Sequence, residues 1–210
     1  MSNKPYDVAL FVGRLQHIHV GHQSVIDSGL LVADRVLILL GSGQEVGSLK
    51  NPFGVITREN MIREIYPDEH QIIIGSIPDL TDSTIINREW AEHVLRVTKS
   101  HIRKIPDVLI MGVETSRQEW FRCHPDLEYA LRTMSELVVS RQQHNISATI
   151  MREHLFRDEF DTWQQWTSPK LHKHYDRLRS ELLNAPGYKD LVREHLHPLK
   201  GWSDKPALQL

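Results

Sequence analysis

Two histidines three residues apart, His19 and His22, flank Gly21 in the stretch Gly-Arg-Leu-Gln-His-Ile-His-Val-Gly-His that runs from Gly13 to His22. An apolar run, Asp7 to Val12, comes directly before it and reads as a buried strand. A strand turning into a helix at a glycine is a place to hold a polyphosphate. The first turn of a helix presents backbone N–H groups without intrahelical partners and a partial positive charge, and a glycine lets a ligand approach the backbone. Two imidazoles on the same side add donors, so the residue types suit nucleotide chemistry. A second stretch has the same character: Ile146-Ser-Ala-Thr-Ile-Met-Arg152 puts Ser147 and Thr149 at a helix start, with Arg152 about a turn and a half further on. Ser147 could be only an N-cap and Arg152 only a surface residue. Together, two hydroxyls, free N–H groups and a guanidinium also make a phosphate cradle.

The elements that must position these residues alternate along the chain. Strands are expected at Asp7–Val12, Arg35–Leu40, Gln71–Gly75, Asp107–Gly112 and Glu136–Ser140. Between and after them, helices are expected at Gly21–Ala33, Thr57–Tyr66, Asn87–Lys99, near Pro125–Arg132 and at Ser147–Leu155. Such alternation predicts an α/β fold with an open, mostly parallel sheet and helices on both faces. Ligands of open parallel sheets bind beyond the carboxyl ends of the strands. Gly13–His22, Gly41–Phe53 and Ile77–Trp90 all fall there.

Beyond Leu155 the pattern changes to the aromatic stripe Phe156, Phe160, Trp163 and Trp166, read as core. Ser168-Pro169 then opens a helix through Leu171, Leu178 and Leu182, with Ala185-Pro186-Gly187 as its stop. The expected organisation is a nucleotide-handling domain over 1–155, a helical extension over 156–200 packed on it, and a tail over 201–210.

The chain has 210 residues, 40% hydrophobic and 25% charged, with a net charge of −2. That balance argues against wholesale attraction to nucleic acid or an anionic membrane. The single cysteine, Cys123, fits a reducing compartment. No apolar run approaches the roughly 18 residues of a spanning helix, and the opening Met-Ser-Asn-Lys-Pro-Tyr-Asp has no signal-peptide core. Cytoplasmic is the expectation. Thirteen histidines raise a metal reading, yet no Cys or carboxylate stands at a familiar ligand spacing beside His17, His19 and His22, so no metal ligand from the protein is expected. His172 and His174 are expected to be solvated. Gly41-Ser-Gly-Gln-Glu-Val-Gly47 has three residues between its second and third glycines, where the dinucleotide fingerprint has two, and follows the second strand, so it is weak as that signature. Lys50-Asn51-Pro52-Phe53 after it suits a ligand rim.

Gly13–His22 resembles the (H/T)xGH segment of nucleotidylyltransferases, and Ile146–Arg152 their ISxTxxR segment. Gly41–Glu45, Lys50–Phe53 and Arg58 with Met61-Ile62 resemble the archaeal-type nicotinamide mononucleotide (NMN) adenylyltransferases and the matching domain of bacterial adenylyltransferase/Nudix fusions. The likeness covers roughly residues 6–153, and no Nudix box follows Arg152. It implies a Rossmann-like sheet and adenylyl transfer from ATP to nicotinamide mononucleotide, and leaves open whether nicotinic acid mononucleotide is also an acceptor. NAD and pyrophosphate are the products, and Mg²⁺ accompanies ATP. Carried over by position, His19, His22, Arg14 and Arg152 are catalytic. Gly13, Gln16, Gly21, Arg58, Ser147, Thr149 and Arg152 hold ATP; Asn87, Trp90, Lys50, Asn51 and Phe53 hold the mononucleotide. Homo-oligomers are common in this family. The chain departs from it in having Leu15 where Phe is usual and His17 where Pro is usual, which leaves His17 either a third phosphate donor or a surface imidazole. The alternatives are a transferase of the same fold with another phosphorylated acceptor, and an ATP- or NAD-sensing module without turnover.

Overall fold

The computed structural model describes residues 3–80, 87–112, 134–140 and 146–196. The expected helix near Pro125–Arg132 and the tail over 201–210 lie outside them. The described elements are β1 (Tyr6–Gly13), α1 (Val20–Val32), β2 (Ala33–Leu40), α2 (Val55–Ile65), β3 (Ile72–Ser76), α3 (Asn87–Ile102), β4 (Val108–Gly112) and β5 (Ser135–Val139). After them come α4 (Ala148–Arg157), α5 (Phe160–Gln165), a 3₁₀ turn (Pro169–His174), α6 (Tyr175–Asn184) and α7 (Pro186–Leu196).

The strands form one sheet in the order β3-β2-β1-β4-β5, and every pairing is parallel. This is the open Rossmann-like arrangement that the alternation predicted, with each strand within two residues of its expected ends. The two-residue period of the strands divides their side chains between two helix layers. Val8, Leu10, Val12, Leu37, Leu39, Leu109 and Met111 join Ala91, Val94 and Leu95 of α3 in one core cluster. On the opposite face, α1 approaches through Gly29, where an added Cβ would stand 2.6 Å from Ile110 Cδ1 and 3.2 Å from Val36 Cγ2. A side chain at position 29 would force Ile110 to move and crowd Val36.

The chain forms two compact units, and their segments interleave. One comprises residues 1–15, 20–44 and 66–145, and holds the sheet, α1 and α3. The other comprises residues 16–19, 45–65 and 146–210, and holds α2 and α4 to α7. Its core is built on Met61, Ile62, Met151, Leu155, Trp163, Leu171, Leu178, Leu182 and Tyr188, all at most 1% exposed. The aromatic stripe is therefore core at Trp163, whose ring meets Tyr175 edge-on at 5.1 Å.

Two readings of the C-terminal region need correction. The helix expected from Ser168-Pro169 onward is a 3₁₀ turn followed by α6, because Ser168 Oγ accepts from Lys170 N and the tight turn runs on to His174 before the α-helix begins. Ala185-Pro186 both ends α6 and starts α7. Ala185 takes the extended conformation favoured before proline, and Pro186 occupies a first helical position where no N–H is needed. His172 and His174 are half-buried rather than fully solvated, and each has a partner: one ring nitrogen of His172 lies 3.2 Å from the Gln164 carbonyl, and His174 Nε2 lies 3.1 Å from Glu64 Oε2.

Gly187 is the tightest point of this second unit. Its N–H donates to the Gly47 carbonyl at 2.7 Å, and a Cβ would stand 2.5 Å from Leu49 N and 2.8 Å from Ser48 C, both backbone atoms. Overpacking against backbone has no soft side chain to yield. We expect Gly187→Ala to destabilise the protein by about 2 kcal/mol, read as a lower midpoint in urea at unchanged slope.

Candidate functional site

In the sheet unit, the phosphate-type residues leave the carboxyl end of β1. Gly41 N donates to the Gly13 carbonyl at 3.0 Å, carrying the β1–β2 pairing to the last strand residue. Leu15 then turns the chain with φ of 43° and buries its side chain, and a Cβ on Gly13 would meet Leu15 Cδ1 at 2.7 Å. Glycine at 13 is what lets this side chain fold back under the turn. Arg14, between them, is exposed. α1 begins at Val20, so Gly21 and His22 lie in its first turn, where backbone N–H groups point out of the helix. His22 is half-buried, its ring tilted against Phe11 at 6.4 Å.

The loops after β2 and β3 are tied together in the same unit. Asp79 accepts from Ser42 Oγ at 2.6 Å and from Ser42 N at 3.3 Å, while Gln44 bonds the Asp79 backbone in both directions. No spacing in the sequence singled out Asp79. Asn87 opens α3, and Trp90, one turn on, is half-buried and packs against the sheet core. Its ring lies 5.8 Å from that of His93. Arg96 Nη2 stands 2.8 Å from His93 Nδ1 and can only donate, so Nδ1 accepts and Nε2 carries the proton given to the Pro78 carbonyl at 3.1 Å. His93 thus pins the loop before α3.

The second unit takes the middle of the opening motif, Gln16 to His19. Gln16 uses both ends of its amide on one residue: Nε2 donates to the Phe53 carbonyl at 3.2 Å and Oε1 accepts from Phe53 N at 3.0 Å. That pair fixes the loop to the Lys50–Phe53 stretch. His17 is fully buried and belongs to neither class expected for it. Its Nδ1 lies 2.7 Å from the Ile18 carbonyl, and its Nε2 accepts from Trp163 Nε1 at 3.1 Å. An indole N–H only donates, so Nδ1 bears the proton and the ring is neutral. Burial pushes its pKa down to about 4, and the Arg152 charge pushes the same way. Rings of Trp163 and Phe53 stand edge-on to it at 5.5 and 6.3 Å. The sequence missed this because the partner Trp163 is far along the chain.

His19 is buried beside this pin, Lys50 is exposed, and Phe53 is wholly buried. Asn51 is 3% exposed; its Nδ2 donates to Glu45 Oε2, and its buried Oδ1 has no hydrogen-bond partner among the described residues. Arg58 on α2 is wholly buried, with Nε 3.4 Å from the Gly54 carbonyl. Ser147 caps α4, accepting from Ile150 N at 3.3 Å. Arg152 reaches back to Thr149 Oγ1 through Nη2 at 3.3 Å, and its Nε donates to the Tyr188 hydroxyl at 3.3 Å. Ser147, Thr149 and Arg152 therefore share one helix start.

The candidate residues thus fall into two groups. Gly13, Arg14, Gly21, His22, Asn87 and Trp90 belong to the sheet unit, and the others to the second. Among the described residues no three or more His, Cys, Asp or Glu side chains are gathered to hold a metal ion, and no helix is long and apolar enough to cross a membrane.

Comparison with known proteins runs parallel to this geometry. A nicotinamide-nucleotide adenylyltransferase of Saccharolobus solfataricus is 37% identical over 93 residues, 42% of this chain and 52% of the relative. The chain spans about half the length of the archaeal relatives it matches. A nicotinamide/nicotinic acid mononucleotide adenylyltransferase of Acinetobacter baylyi is 29% identical over 149 residues, 70% of this chain and 74% of the relative. A solved structure from Francisella tularensis, a bifunctional NMN adenylyltransferase/ADP ribose pyrophosphatase complexed with AMP and Mn ion, superimposes with a TM-score of 0.65 at 23% identity. It covers 91% of this chain and 53% of that one, and shares the fold. The cytidylyltransferase-like family model matches residues 10–166. That stretch runs from β1 through the opening motif and the capped start of α4, well over half of the sequence, and the chain belongs to the cytidylyltransferase-like family.

Proposed function

We propose that this protein transfers the adenylyl group of ATP to nicotinamide mononucleotide, forming NAD and pyrophosphate, with nicotinic acid mononucleotide as a second acceptor. The observation that carries the reading is the start of α4, where capping Ser147, Thr149 and the buried guanidinium of Arg152 form one cradle of donors. The names of the archaeal and Acinetobacter relatives support the acceptor.

In the reaction, an oxygen of the mononucleotide 5′-phosphate attacks the α-phosphorus of ATP. The bond from that phosphorus to the bridging oxygen breaks, and pyrophosphate leaves. A phosphate monoester with a second pKa near 6 is already largely dianionic at pH 7, so no general base is required. The work is to bring two anions together and to stabilise charge on the bridging and leaving oxygens. His19, His22 and Arg14 would serve the α- and β-phosphates, with Gly13, Gln16 and Gly21 setting the loop. Ser147, Thr149 and Arg152 would hold the β- and γ-phosphates. Arg58, wholly buried, would add charge rather than an exposed contact. Imidazoles, guanidinium groups, hydroxyls and amide N–H groups suit phosphate oxygens, not a bare divalent cation, so Mg²⁺ would be carried on the triphosphate and neutralise part of its charge. Asn87 and Trp90 would receive the pyridine ring, whose positive charge over an indole face is favourable by about 0.5 to 2 kcal/mol. Lys50 and Asn51 would complete that subsite, with Phe53 supporting them from inside.

Residues 1–155 are the nucleotidylyltransferase domain on this reading, and 156–200 its helical extension. The single cysteine supports a cytoplasmic enzyme, and the net charge of −2 supports small-molecule partners, ATP and a pyridine mononucleotide, rather than nucleic acid or membrane. Homo-oligomeric assembly is part of the same proposal. The test is pyrophosphate release from ATP and Mg²⁺ with each mononucleotide. We expect release with nicotinamide mononucleotide, and a drop of at least tenfold in kcat for His19→Ala and for His22→Ala with the circular dichroism spectrum kept. No release with either mononucleotide would overturn the reading, and binding of ATP without turnover would make the protein a sensor.

A further inference from the structure

The helices after Asp158 have no part in the reaction as written, yet each sends one side chain to the segments that carry the phosphate-type residues. Trp163 of α5 bonds His17, two residues before His19. Glu181 of α6 accepts from Thr57 Oγ1 at 2.6 Å, next to Arg58. Tyr188 of α7 bonds Arg152 itself. The last of these carries furthest.

Arg152 is a buried cation, 4% exposed, and a buried charge is costly unless something answers it. Among the described residues, both acceptors that it meets are hydroxyls, Thr149 Oγ1 and Tyr188 Oη. Hydroxyl acceptors fix the plane and direction of a guanidinium without cancelling its charge, whereas a carboxylate would do both. The arrangement is that of a cation held ready for an anion. Tyr188 suits this part because its single proton has a definite place. Its oxygen accepts from Arg152 Nε, and its hydroxyl lies 3.5 Å from the Leu49 carbonyl, to which it donates. Burial pushes the Tyr188 pKa up, so the proton stays. The start of α7 is itself seated by Gly187 N on the Gly47 carbonyl at 2.7 Å.

We propose that Tyr188 is a positioning residue that aims the Arg152 guanidinium at the ATP phosphates, so that the C-terminal helices are part of the transfer machinery. The inference rests on the reading of Arg152 as a phosphate ligand. It places no atom of Tyr188 on the substrate; the effect passes through Arg152.

The test is a double-mutant cycle with Tyr188→Phe and Arg152→Lys in the full chain, with steady-state kinetics at a temperature where circular dichroism shows every variant folded. Phenylalanine keeps the ring that lies 6.1 Å from Phe156 and removes only the hydroxyl. We expect Tyr188→Phe to lower kcat/KM for ATP about tenfold with KM for the mononucleotide unchanged. We also expect the double variant to be little worse than Arg152→Lys alone, since a residue that acts through another loses its effect once that partner is altered. Kinetics of Tyr188→Phe equal to wild type, an equal loss toward both substrates, or multiplying losses in the double variant would each overturn the positioning role. Arg152→Lys at the wild-type rate would instead overturn the parent reading of Arg152.

Discussion

Replacing Arg152 with alanine is expected to lower kcat about 100- to 1000-fold, the scale of a lost donor at a developing oxyanion. The effect should fall on turnover and on ATP, because the side chain sits at the start of α4 beside Thr149, within the cradle read as the phosphate site. Lysine should recover part of the loss and not all, since it returns the charge without the planar fork that meets two oxygens at once. The fold itself should tolerate the change well. Alanine removes a buried charge whose acceptors are hydroxyls, and those hydroxyls can turn to other partners. ATP should, however, raise the melting temperature of the variant less than that of the wild type, because stabilisation by a ligand follows its affinity. A variant with full turnover, or one as strongly stabilised by ATP as the wild type, would remove Arg152 from the phosphate site.

The second large effect is on stability and is set by His17. The folded protein holds this ring neutral, with its pKa near 4, while the unfolded chain titrates it near the ordinary histidine value of 6.5. Above about pH 6.5 both states are neutral and the contribution is fully present. Below that the unfolded chain binds a proton that the folded protein refuses, so stability falls until about pH 4, where the folded form protonates as well. Over that window the loss attributable to His17 is of order 3 kcal/mol. Urea unfolding at pH 7 and pH 4.5 should show a clearly smaller drop for His17→Gln than for wild type, with both proteins carrying the same other titrating groups. An equal drop in the two would contradict the buried, neutral ring. The same protonation state bears on catalysis: a ring that is neutral at working pH and occupied at both nitrogens gives no charge to a phosphate.

His17 also marks where the sequence stops being informative. Strand periodicity and helix starts placed β1 to β5 within two residues of their ends, since each rests on residues adjacent along the chain, as do Ser147 as a cap and Gly21 in the first turn of α1. The environment of His17 depends on Trp163, that of Gln16 on Phe53, and that of Arg152 on Tyr188. None of these pairs has a spacing that a pattern can detect. His172 and His174 teach the same lesson, because what shields them is Gln164 and Glu64, across a turn and on another helix. Where the family usually has proline, this chain has His17, a residue that does not fix its own backbone. Instead, two hydrogen bonds and two edge-on rings hold it by contact where proline would hold it by covalent geometry.

The bond from Trp163 to His17 closes a span of 146 residues. On a ribosome adding about 5 to 20 residues per second, the histidine loop exists for roughly 7 to 30 s before its indole partner is made. The sheet can begin pairing β1 with β2 almost at once, while the unit that contains the loop waits for α4 to α7 and closes late, in the manner of long-range contacts. On the proposed reading, competence to handle phosphate would come near the end of folding, and a nascent chain with a well-formed sheet would still lack the indole partner of the loop that carries His19.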